Sequence, residues 1–181
     1  MTIIRACKAS DLPEITAIYA WHVQNGTGTF ETEPPGVQEM AARHADVLSK
    51  GLPYLVAEGQ GRILGYAYCT WFKPRPAYRF SAEDSVYIAP ELKGQGLGRA
   101  LLAELSVRAE QAGIRKLIAV IGDSANLASV GVHRCTGFKP VGTLTACGWK
   151  FGRWLDVVLM EKALGLGDTA PAPARAPTPE A

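Results

Sequence analysis

The 181-residue sequence has no apolar run approaching the ~20 residues that cross a bilayer, and its opening, MTIIRACKASDLPEI, holds no hydrophobic stretch of signal-peptide length. These absences predict a protein that is neither secreted nor membrane-inserted. An excess of one charge is also missing. With 19 basic and 17 acidic residues the formal charge is +2, which gives no broad groove for nucleic acid and no membrane-binding face, so any cationic site must be local. Cys7, Cys69, Cys135 and Cys147 have neither the close paired spacing of a zinc site nor the density of a disulfide framework. They read as reduced thiols of a cytoplasmic protein, and without convergent carboxylates or cysteines no metal is expected. Internal repeats are absent. What remains, 48% hydrophobic and 20% charged residues, is enough for one core and a single domain.

The chain reads as mixed α/β. Ile3 to Ala6 is β-like. Asp11 with Glu14 forms a capping-box pattern ahead of a helix carrying Ile15, Ile18, Tyr19, His22 and Val23, with Gly26 as a left-handed stop. A second helix carries Val37, Met40, His44, Val47 and Leu48 and ends at Gly51. Tyr54 to Glu58 and Ile63 to Phe72, rich in β-branched and aromatic residues, predict a hairpin. After the loop KPRPAYRF come the strand AEDSVYIA, a glycine-rich turn and a helix through Leu97, Leu101, Leu102 and Leu105 to Gly113. The apolar strand Leu117 to Ile121, a short helix from Asn126 to Thr136 and two strands near Val141 to Ala146 and Trp154 to Met160 complete a domain over residues 1–164. From Gly165 to Ala181 proline and alanine replace the periodic pattern, predicting a flexible tail without chemistry.

The turn Lys93-Gly94-Gln95-Gly96-Leu97-Gly98-Arg99, set between strand and helix, suits a phosphate. Glycines leave backbone N–H groups unobstructed, and the helix N-terminus adds about half a positive charge. A nucleotide-triphosphatase loop would continue Gly-Lys-Ser/Thr, whereas Gly98 is followed by Arg99 and Ala100. A dinucleotide fingerprint needs a third glycine further into the helix.

Lys93, Gly96 and Gly98 resemble the pyrophosphate loop of the GNAT N-acetyltransferases, Arg/Gln-x-x-Gly-x-Gly/Ala, with Lys93 a departure that keeps the charge. Asn126 in IGDSANLASVGVHRCTGF, followed by His133 and Gly137-Phe138, is similar to the family's later cofactor segment. Within that superfamily the chain resembles the phosphinothricin and methionine sulfoximine N-acetyltransferases over roughly Ile3 to Leu164. The likeness runs through TFETEP, PYLVAE, the loop with Lys73, Arg75, Ala77 and Tyr78, AEDSVYIAP, AVIG, NLASVGVH and KFGRWLD (Lys150 to Asp156), the most subfamily-specific segment. Phe72 departs from the Trp that relatives more often carry. The resemblance implies a single mixed, mostly antiparallel, twisted sheet flanked by helices, acetyl-CoA as co-substrate, and acetylation of the α-amine of a small amino acid such as L-phosphinothricin, methionine sulfoximine or methionine sulfone, in detoxification or resistance. It also implies a homodimer, to which Trp149 and Trp154 can contribute.

Acyl transfer from a thioester to an amine needs a base for the ammonium proton, a polarised carbonyl and a stabilised leaving thiolate. Glu83 stands where the resemblance places the family's proposed base. Asp84 is its rival, since only one of two adjacent strand residues can face the site, and a surface carboxylate paired with Arg79 is the plainer reading of Glu83. The resemblance further implies carbonyl donors in the strand backbone at Val86, Tyr87 and Ile88, and cofactor contacts at Lys93, Gly94, Gln95, Gly96, Leu97, Gly98, Arg99, Asn126 and Ser129. His133 falls where many members carry a tyrosine thought to protonate the thiolate; it reads either as that acid or as a core histidine capping a short helix. Lys73, Arg75 and Arg79, stiffened by two prolines, suit the carboxylate or phosphinate of an amino acid, with Phe30, Tyr78 and Ser85 as further substrate contacts. A different amine, or a non-catalytic acyl-CoA sensor, is the alternative.

Overall fold

Seven strands, β1 (Thr2–Ala6), β2 (Tyr54–Gly59), β3 (Arg62–Trp71), β4 (Ser81–Ile88), β5 (Lys116–Gly122), β6 (Lys139–Lys150) and β7 (Arg153–Ala163), form one sheet in the order β1-β2-β3-β4-β5-β7-β6. Only β4 and β5 pair in parallel; every other neighbour is antiparallel. The mixed, mostly antiparallel sheet is the one expected. The computed structural model describes residues 2–172, so residues 173–181 of the Pro/Ala-rich segment lie outside the described residues.

Strand alternation sends Tyr66, Tyr68, Glu83, Ser85 and Tyr87 to one face and Cys69, Asp84, Val86 and Ile88 to the other. α1 (Leu12–Asn25) and α2 (Val37–Ser49) cover the first face, where the Tyr19 ring meets Tyr87 and the His44 ring meets Tyr54. α3 (Leu97–Gln111) and α4 (Leu127–Cys135) cover the second. α3 buries Leu101, Leu102, Leu105 and Ala109 completely at helical spacing. Each of its three leucines withdraws about 1.5–3 kcal/mol of apolar transfer energy from water.

Some local expectations are revised. Gly26 is extended (φ −121°) rather than left-handed; it is small because a Cβ would press on the His22 carbonyl. Asp11 does not cap α1, because its carboxylate is taken by Arg5 at 2.7 and 2.9 Å, and Glu14 instead accepts from the Ile63 N–H across to β3. β6 and β7 run longer than their apolar pattern suggests. They join through a two-residue turn, Phe151-Gly152, with both residues at positive φ.

Candidate active site

β4 and β5 pair from Ser81 with Lys116 to Asp84 with Ala119, and there the pairing stops although β4 runs on to Ile88 and β5 to Gly122. β4 stays with β3 while β5 stays with β7. The sheet therefore opens into a cleft whose lips are Ser85–Ile88 and 120–122. Backbone groups on that edge of β4 have lost their strand partner and must find another. One has done so: the Ile88 carbonyl accepts from His22 Nε2 at 2.8 Å, a tie from α1 that the apolar helical spacing of His22 did not reveal.

Glu83 is half-buried at the closed end of this cleft, on the α1/α2 face. Burial, then the neighbouring Asp84, pushes its carboxyl above the ordinary value, while Lys73 pulls it down. A carboxylate so placed is a better proton acceptor than an exposed one. Arg79 is not its partner: the guanidinium lies over the Phe80 ring at 4.4 Å and donates to the Pro76 carbonyl. Ser85, next on the same face, stands opposite Tyr68. The loop before β4 exposes Lys73, Arg75 and Tyr78, with Tyr78 edge-on to Phe72 and Lys73 over the Phe72 ring at 5.1 Å.

Asp84 points the other way and is buried. Its Oδ2 accepts from His133 Nε2 at 2.9 Å, and His133 Nδ1 donates to the Ser129 carbonyl at 2.8 Å. Both partners are acceptors, so the ring fits as imidazolium with both protons committed. Burial opposes that charge, but the hydrogen bond and charge of Asp84 outweigh it and raise the His133 pKa. Of the two readings open for His133, its surroundings are those of a core histidine: 3% exposed, fastening α4 to β4 on the face away from Glu83.

The glycine turn is exposed from Lys93 to Gly96, and Gly94 and Gly96 adopt φ of 80° and 81°, which L side chains resist. Gly96 is the N-cap of α3 and the first intrahelical bond runs from Ala100 to its carbonyl, which leaves the N–H groups of Leu97, Gly98 and Arg99 without helical partners. Gln95 lies in the same exposed turn, and Lys93 stands over the Trp21 ring of α1 at 4.1 Å. Across the cleft, Asn126 caps α4 by accepting from the Ser129 N–H. The anion cradle and the second expected cofactor segment thus flank one opening.

Phe30 sits where β5 meets the β6/β7 hairpin. Its ring lies against Gly122 of β5 and Gly148 of β6, where a Cβ on Gly122 would come within 2.9 Å of the ring and one on Gly148 would fall inside it. Among the described residues no cluster of His, Cys and carboxylates could hold a metal ion, and no helix is long and apolar enough to cross a membrane.

The acetyltransferase (GNAT) domain model matches residues 4–159. The chain belongs to the GNAT acetyltransferase family. It is 57% identical to the phosphinothricin N-acetyltransferase of Alcaligenes faecalis over 92% of this chain and 84% of that one. It is 39% identical to an L-methionine sulfoximine/L-methionine sulfone acetyltransferase of Pseudomonas aeruginosa, over 94% and 98%. Among solved structures, a phosphinothricin acetyltransferase of Sinorhizobium meliloti in complex with acetyl-CoA superposes with a TM-score of 0.93 at 43% identity, over 97% of this chain and 95% of that one.

Proposed function

We propose that this GNAT acetyltransferase transfers the acetyl group of acetyl-CoA to the α-amine of a small acidic or acid-mimicking amino acid, with L-phosphinothricin, methionine sulfoximine and methionine sulfone as the acceptors to test first. The observation that carries the reading is Glu83, half-buried at the closed end of the β4/β5 cleft between an anion cradle on one side and the Lys73–Arg79 loop on the other. Identity to relatives named for these acceptors supports it.

Acetyl-CoA supplies the acyl group as an activated thioester. The unpartnered N–H groups of Leu97, Gly98 and Arg99, with Lys93, Gly94, Gln95 and Gly96 around them, suit its pyrophosphate. Asn126 and Ser129 stand across the opening, and the free edge of β4 offers the N–H groups of Val86 and Ile88 as donors for an acyl carbonyl, while the N–H of Tyr87 between them is turned into the β3 ladder. Lys73, Arg75 and Arg79 take the acidic ends of the amino acid, while Phe30, Tyr78 and Ser85 shape its walls. Glu83 accepts the proton that the ammonium must lose before nitrogen can attack. His133, in this reading, holds α4 and therefore Asn126 and Ser129 in register with β4.

We further propose a homodimer. β6 is an edge strand whose surface exposes Val141, Leu144 and Trp149, beside Trp154 of β7 and Phe151 of the turn, with the two tryptophans 57% and 62% exposed. Four free thiols and a substrate drawn from metabolic acetyl-CoA fit a cytoplasmic setting.

Thiol release from acetyl-CoA by purified protein, offered each of the three amino acids, spermidine or no acceptor, tests the reading. Saturable release with at least one amino acid is expected. Release with spermidine alone, or cofactor binding without turnover on any acceptor, overturns it.

A further inference from the structure

Lys150, the last residue of β6 and the first of KFGRWLD, is 4% exposed, yet its ammonium faces carbonyls rather than a carboxylate. Nζ donates to the Gly26 carbonyl at 2.9 Å and to the Thr29 carbonyl at 2.8 Å, reaching across more than a hundred residues of sequence. Burial holds the ammonium below the usual lysine value. A methionine would fill the same volume without that penalty, so the charge is kept for its donors. What those donors hold is the segment that ends at Phe30. The same segment is bound from another side, where the Thr29 hydroxyl meets the Tyr19 hydroxyl at 2.9 Å. Under it, Gly122 and Gly148 leave room for the Phe30 ring and for nothing larger than hydrogen.

We propose that Lys150 is a positioning residue for the amino-acid pocket: by holding the Gly26 and Thr29 carbonyls it seats residues 26–30 on β5 and β6 and fixes where the Phe30 ring stands over the cleft. Lys150 touches no reacting atom in this arrangement. It acts through Phe30, and it selects acceptors by the shape of the wall Phe30 makes. The inference rests on the amino-acid acceptor reading for its ligand but not for its mechanics.

The test compares the full-length wild type, Lys150→Met, Lys150→Arg, Phe30→Ala and the Lys150→Met/Phe30→Ala double variant. The readouts are KM for L-phosphinothricin, KM for acetyl-CoA, and deuterium exchange of the peptide spanning residues 26–30. Lys150→Met is expected to raise the amino-acid KM about ten-fold, move the acetyl-CoA KM less than about two-fold and speed exchange at 26–30, with Lys150→Arg recovering part of each change. In the Phe30→Ala background the same substitution is expected to add under about two-fold, because its effect passes through a ring already removed. Wild-type exchange at 26–30 in Lys150→Met, or full additivity with Phe30→Ala, overturns the proposal. If Lys150→Met fails to fold, Lys150→Gln replaces it: faster exchange with a raised amino-acid KM supports the clamp, and wild-type behaviour overturns it. Absence of turnover with every amino acid in the wild type would sink the acceptor reading, while the exchange comparison still decides the clamp.

Discussion

Replacing His133 with alanine separates a structural histidine from a catalytic one, because the two roles predict opposite losses. In the fold the imidazolium and Asp84 form a buried pair, with side chains 4% and 1% exposed, and Asp84 Oδ1 already has no partner. Removing the ring leaves a buried carboxylate with both oxygens unsatisfied, which costs about 3–5 kcal/mol. At about 2–4 °C per kcal/mol for a domain of this size, the melting temperature should fall by roughly 6–20 °C. The pH dependence gives a second handle. The His133 pKa is raised on folding, so its contribution is fully present below the unfolded value near 6.5 and is lost as pH rises through the higher folded value. The difference in melting temperature between wild type and His133→Ala should therefore be largest at about pH 6 and shrink, without closing, toward about pH 9, since a neutral ring still donates to Asp84. Thermal melts across that range, paired with kcat for acetyl transfer below the melting transition, provide the assay. A variant that melts within about 2 °C of wild type yet loses two orders of magnitude in kcat would refute the reasoning and return His133 to the acid role.

Glu83→Gln keeps the shape and removes the base, so kcat/KM should fall about 10²–10⁴-fold with the melting temperature unchanged. The acid limb of the wild-type pH–rate profile should lie above the ordinary carboxylate range, because burial and Asp84 raise the Glu83 carboxyl, and it should be missing from the residual activity of the variant. Gly96→Val forces a β-branched residue to φ 81° and adds about 1–2 kcal/mol of backbone strain at the α3 N-cap; KM for acetyl-CoA should rise while KM for the amino acid stays put. Trp149→Glu with Trp154→Glu places charge on the exposed β6/β7 face, and sedimentation should show the mass of the wild type halved; an unchanged mass would place the dimer contact elsewhere.

Local chemistry carried much of the fold. Gln60-Gly61, both at positive φ, forms the predicted hairpin turn, and Gly94, Gly96 and the Leu101-Leu102-Leu105 stripe lie where the sequence spacing puts them. The alternation rule required that only one of Glu83 and Asp84 face the cleft; which of them does so depends on packing against α4, and no local pattern records that. The same holds for His133, whose partner lies 49 residues away, and for His22, whose partner is a backbone carbonyl invisible in any side-chain motif. β6 runs beyond the expected Val141 to Ala146 on both sides, across a break in its pairing. The register with β7 shifts between Leu144 and Gly148, Ala146 takes a positive φ, and its N–H is held by Asp156 Oδ1 at 2.9 Å.

That bulge is held from within the segment KFGRWLD. Asp156 fixes the bulge and also accepts from Ser124, Arg153 pairs with Asp123 at 2.7 Å, Gly152 makes the turn, and Trp154 meets Trp149 edge-on at 5.2 Å. Asp123 in turn accepts from the Ala125 N–H just ahead of the Asn126 cap of α4. One hairpin thus sets the end of β5, the start of α4 and, through Lys150, the seat of Phe30. Its outer surface is the exposed aromatic face. In the proposed dimer a second copy covering that face would restrain the same strands that position the proposed acceptor pocket, whereas the anion cradle at Gly96 is built separately, on α3.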